Sequence, residues 1–194
     1  MGVYLVSVGA QEWVDREEGW GEAAAALNEE LVRRGLPPYR SVPEEGDFVR
    51  GSGRSFEEKL SASMAGFTAL CEAHLSRAEY ELLCGWGVLV PLSLEQEIWL
   101  PVETSYADET VVAGAPQVLA IAERLAAIVN LPDEAPATSD NLDLTMWFLD
   151  GPARELAARR DGLWTEDLEA AFYVAVYLRA AQHSLRRGCP VVLT

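Results

Sequence analysis

Three groups of side chains in this chain carry reactive chemistry. The first is Cys71-x-x-His74 followed by Cys84, a C-x2-H-x9-C pattern. Thiolate and imidazole are zinc ligands, but a structural zinc site draws four ligands from compact knuckles. Here three fall on what reads as the apolar stripe of one helix and its successor. The pattern therefore reads as two small buried thiols and a packed histidine, with no metal or other cofactor assigned. His183 and Cys189 complete a tetrad only if the last helix lands beside that stripe. A nucleophilic Cys–His pair is the other use of these groups. Cys189 is its most interesting thiol, yet it follows a helix C-terminus, where the dipole raises a thiol pKa.

The second group is acidic. Glu95, Glu97, Glu103, Asp108 and Glu109 gather within fifteen positions, with Tyr106 among them. On a strand, residues 95 and 97 share one face and repel, which raises one pKa toward the range of acid–base work. With water, such carboxylates suit magnesium or manganese. A solvated sheet face in an acidic chain has the same appearance. The third group is aromatic. Six tryptophans stand near element ends or in loops, where a large apolar face with one donor can anchor a partner or pack at the core's edge. Trp99, Tyr106, Trp147, Asp150 and Trp164 are the contact candidates, with the Trp147–Phe148–Leu149–Asp150 run the most suggestive. The chain contains no G-x-S-x-G, Walker or G-x-G-x-x-G motif.

Composition narrows the classes. The 194 residues suit a single domain, with a weak division at the Pro- and Asp-containing stretch 131–140. The net charge of −16 argues against nucleic acid, because an anionic surface repels a phosphate backbone. It is compatible with a basic protein partner, while its plainer effect is to keep a protein soluble and monomeric; a small ligand is the alternative partner. Three cysteines, an odd number, fit a reducing cytoplasm. The longest apolar run, 170–178, is too short to span a membrane. Oligomeric state is not indicated.

The elements that must position these groups follow from periodicity and punctuation. Residues 3–8 alternate as a strand, 11–21 read as a polar connection, and 22–34 as a helix closed by Gly35. Residues 36–54, with three prolines and three glycines, form a long loop or lid. Ser55 with Glu58, and Ser76 with Glu79, are capping boxes that predict helices over 55–75 and 77–84. Between the helical segments, 87–92 and 97–102 are expected to form a hairpin around a 93–96 turn, or a single helical turn there. Pro91 and Pro101 restrict both runs to edges or bulges. Residues 103–115 read as a loop and 116–129 as an amphipathic helix opened by Pro116. Residues 141–149 fit either a helix or a strand, and their length with Asp140 as cap favours a helix; 152–160 form a further short helix. The longest, 166–187, is capped by Thr165 and buried on more than one side. Residues 190–193 form a final strand. The sum is an α+β domain of about six helices on about four short strands.

The opening MGVYLVSVGA, the stretch WFLDGPARELAARR and the closing AAQHSLRRGCPVV, together with a single lysine, Lys59, among 15 basic residues, resemble an uncharacterised family of acidic, lysine-poor cytoplasmic proteins of actinomycete-type bacteria. No activity or functional residue comes with that resemblance. The expectation is a non-catalytic binding protein with an acidic–aromatic surface, and an immunity-type role against a basic toxin would fit the charge. The alternative is an enzyme using the carboxylates of 95–109, with or without a divalent metal.

Overall fold

The computed structural model describes residues 2–17, 19–44, 49–104 and 107–194. The chain opens with strand β1 (Tyr4–Ser7), then α1 (Ala10–Val14), where a plain connection is predicted, and α2 (Gly21–Arg33). Gly35 takes φ +75° just beyond α2, a conformation in which a Cβ would crowd the following carbonyl and which glycine, lacking one, adopts freely.

The first large departure from expectation comes next. Residues 55–59 do not begin a helix. Glu57–Lys59 is β2, paired antiparallel with β1, and the helix α3 starts only at Ala65 and ends at His74. The Ser55/Glu58 pattern loses to long-range partners. The Phe56 N–H goes to the Ser7 hydroxyl, 2.9 Å away, and Glu58 turns inward with no exposed surface. The Ser76/Glu79 box does form, with both reciprocal bonds, at the start of α4 (Arg77–Cys84).

The two central runs become strands, β3 (Val88–Val90) and β4 (Ile98–Leu100), but they do not form a hairpin. The stretch read as the end of a loop supplies β5 (Thr110–Gly114), which lies between them, parallel to β3 and antiparallel to β4. Pro91 and Pro101 fall just past the strand ends, so neither removes a ladder donor, and β3 is interior rather than an edge. Helix α5 (Ala115–Val129) follows directly, with proline in its first turn and Asn130 in the left-handed conformation at its end.

Residues 131–140 pack onto the body: Ala135, Ser139 and Asp140 are buried, and the Arg179 guanidinium donates to the Pro136 carbonyl at 2.9 Å. Helix α6 spans Asp143–Leu149, as the 141–149 reading expects, but Asp140 does not cap it. Asp140 instead accepts the N–H groups of Gly53 and Ser55 at 2.9 and 3.2 Å, tying down the end of the 36–54 loop. Burial pushes its carboxyl up, and these hydrogen bonds outweigh that and hold it below the usual aspartate value. Then come α7 (Pro152–Ala157), α8 (Leu163–Glu166) and α9 (Leu168–Arg187). The cap of α9 is Asp167, which accepts the Ala170 N–H at 2.9 Å; Thr165 belongs to α8, and its hydroxyl donates to Gly162. The chain ends in β6 (Val191–Leu193).

Among the described residues, nine helices and six strands thus replace the expected six and four. The sheet order is β2-β1-β6-β3-β5-β4, mixed in direction. Side-chain alternation gives it two apolar faces. Val88, Val90, Val112 and Val192 pack with Leu27 and Leu31 of α2, while Leu5, Leu89, Ala113 and Val191 pack with α5 and α9. The middle of α9 is buried almost all round, because α3, α5, α6 and the sheet all pack on it. No described helix is long and apolar enough to cross a membrane.

Candidate functional site

The margin of the sheet at β4 and β5 collects most of the acidic and aromatic candidates that the structure brings together. Strand alternation sends Ile98 and Leu100 into the core and Trp99 outward, where it is 62% exposed. Beyond β4 the chain turns back into β5. The Thr110 hydroxyl donates to the Val102 carbonyl at 2.8 Å, and the Thr104 N–H donates to the Ala107 carbonyl at 2.8 Å. This turn presents Glu103, Asp108 and Glu109 to solvent beside Trp99. Together they line a shallow, open hollow of about 810 Å³ whose floor includes Pro101 and Val111.

Glu103 also lines a second hollow, of about 490 Å³, at the same end of the sheet. There Trp20 meets Glu12, Glu17 and Glu22, and Arg16 is the only Lys or Arg among the described lining residues. These residues come from α1, the connection after it and the start of α2. The sequence marks them as polar and acidic but carries no sign that they face Glu103, which depends on α1 and α2 packing against the sheet's β4 side.

The remaining candidates separate. Glu95 and Glu97 precede β4 and line neither hollow. Glu95 is exposed, and Glu97 is half-buried with its carboxyl pushed up by burial and by the charge of Glu81, not by Glu95 as the strand reading predicts. Trp147 is half-buried on α6, its ring 4.6 Å from Phe148 and 6.1 Å from Trp164, and it lines a different hollow with Arg50 and Met146. Trp164 is buried in the helical core and offers a partner no surface. Asp150 is exposed and caps the end of α6 without joining the acidic margin. Tyr106 lies outside the described residues.

The sulfur–imidazole group does not assemble. Cys71 is buried, and its neighbouring thiol, with burial, pushes Cys84 up. His74 is exposed, contrary to the packed histidine expected. Among the described residues, no three His, Cys, Asp or Glu side chains are grouped closely enough to hold a metal ion. The packed histidine is His183 on α9, 2% exposed, with Nε2 unpartnered and Nδ1 3.4 Å from the Arg186 guanidinium. Burial first, then Arg186 and Arg187, hold its pKa down to about 4. Cys189 is buried, and its thiol is pushed up to about 11 by that burial, which makes it a poor nucleophile.

No protein-family model, curated protein or solved structure matches this chain.

Proposed function

We propose that this protein is a non-catalytic binding protein whose acidic–aromatic margin recognises cationic groups of a basic protein partner. The observation that carries the reading is the position of Glu103, shared by the hollow of Trp99, Asp108 and Glu109 and by the hollow of Trp20, Glu12, Glu17 and Glu22. An arginine or lysine brought there meets carboxylates and an indole face together. Cation–π contact contributes about 0.5–1 kcal/mol at exposed sites, and clustered acids speed encounter with a basic surface. A net charge of −16 extends the same attraction beyond the site. An immunity-type role against a basic toxin, a cytoplasmic location, and membership of an acidic, lysine-poor actinomycete-type family belong to the same proposal.

The test is calorimetric titration with an oligo-arginine peptide. Binding is expected at low salt, weakened by added salt, by Glu103→Arg and by Trp99→Ala. No binding, or binding indifferent to all three, defeats the reading. The competing reading, a carboxylate enzyme aided by magnesium or manganese, uses the same residues. A rise in melting temperature with either cation, lost in Asp108→Asn/Glu109→Gln, would favour it.

A further inference from the structure

A separate hollow of about 340 Å³ opens between the sheet and the helical layer. Leu60 and Met64 from the β2–α3 connection, Cys84 and Trp86 at the end of α4, and Tyr173 and Tyr177 of α9 form its wall. None of the described lining residues is Asp, Glu, Lys or Arg, in a chain where 24% of residues are charged. The polar tips of two rings are already committed: Trp86 Nε1 donates to the Leu83 carbonyl at 2.9 Å, and the Tyr173 hydroxyl to the Ala62 carbonyl at 2.7 Å. The Cys84 thiol and the Tyr177 hydroxyl lie next to each other in the wall. The rings are also held in place from behind. Phe67 stacks on Tyr177 at 5.5 Å, and Trp86 meets it edge-on at 6.1 Å.

Such a wall offers an entering molecule mainly apolar and aromatic area, with the Tyr177 hydroxyl and the Cys84 thiol as its remaining polar side-chain groups. A charged ligand would lose its hydration without compensation. Water needs two to four polar partners to be held well, and most of this lining supplies none. Ligand sites of about 300–1,000 Å³ with mostly apolar and aromatic walls take small molecules. We propose that this hollow binds a small uncharged aromatic molecule of two or three rings. Among the described residues it shares only Leu193 with the acidic hollow beside Trp20, and its lining is opposite in chemistry to that acidic margin.

The test uses N-phenyl-1-naphthylamine, uncharged and weakly emissive in water, followed by its own fluorescence. Saturable one-site binding is expected, unchanged in high salt, which separates it from the cationic partner site. Met64→Trp and Leu60→Trp, which fill the hollow, should each weaken it by at least about tenfold while cooperative melting is retained. Saturating probe should also raise the melting temperature of the native chain. Non-saturable emission, or saturable binding that both filled variants retain, overturns the proposal. If a filled variant does not fold, melting of the native chain decides, and an unchanged melting temperature at saturating probe overturns it.

Discussion

The carboxylate of Glu58 on β2 accepts both the N–H and the hydroxyl of Thr145 at the start of α6, at 3.1 and 2.6 Å. Its other oxygen accepts the Leu144 N–H at 2.6 Å and the Ser139 hydroxyl. A fully buried acid thus satisfies the amides that a helix leaves open at its N-terminus, from a strand more than eighty residues away. Glu58→Ala leaves several buried donors unpaired and should destabilise the fold by at least about 3 kcal/mol, whereas Thr145→Val should remove about 1 kcal/mol. Urea unfolding of both variants checks this. Burial raises the Glu58 pKa, and the bonds from Ser139, Thr145 and Leu144 only partly offset that. The folded chain therefore holds the proton to higher pH than the unfolded chain. The advantage of the parent over Glu58→Gln should be largest below the ordinary glutamate pKa and shrink as pH rises through the raised value.

His183 gives the opposite sign. Its pKa is held down to about 4 from 6.5, so between those values the unfolded chain takes up a proton that the buried ring refuses. Stability is full above the ordinary histidine value and is lost as pH falls toward the folded one, by about 3 kcal/mol in total. Unfolding midpoints measured across that window should fall in the parent chain and stay nearly level in His183→Leu.

Two tryptophans chosen on the same grounds should behave differently. Trp99 is 62% exposed and Trp164 is 2% exposed. Trp99→Ala should change stability by less than about 0.5 kcal/mol and act on binding alone. Trp164→Ala should lower stability by about 3–5 kcal/mol through the cavity it leaves. Thermal melts of the two variants, side by side, separate a contact residue from a core residue.

Gly66 in the first turn of α3 stands against the Asp167 carboxylate, so a Cβ there would collide with Oδ2 of the group whose Oδ1 caps α9. Gly66→Ala should displace the cap and cost about 1 kcal/mol, the usual worth of an N-cap. In Asp167→Ala the same substitution should add almost nothing. A double-mutant cycle reads that coupling directly.

The two capping boxes show where local reading ends. Ser76 and Glu79 bond reciprocally, at 2.8 Å for Ser76 N–H to the carboxylate and 3.3 Å for Glu79 N–H to the hydroxyl. Ser55 and Glu58 have the same spacing, yet Glu58 serves α6 instead, because four donors in the interior outweigh one amide at the surface. The long helices were legible for the reason that α5 and α9 are: apolar residues recurring at three and four positions demand a buried face whatever lies opposite. Strand identity was legible at 88–90 and 98–100, but strand partners were not, since β5 enters between them from further along the chain.

By itself, the amino-acid order determined the charge, the class and the helical stripes, all of which depend on composition or on neighbours a few positions apart. Only tertiary structure decided that Glu103 borders both acidic hollows, that Trp164 is buried, and that Cys71, His74 and Cys84 do not converge. Those outcomes depend on which strand lies beside which and on how α1 and α2 cover one face of the sheet. Such pairings are set by the burial of whole surfaces, and no short window of sequence contains both halves of them.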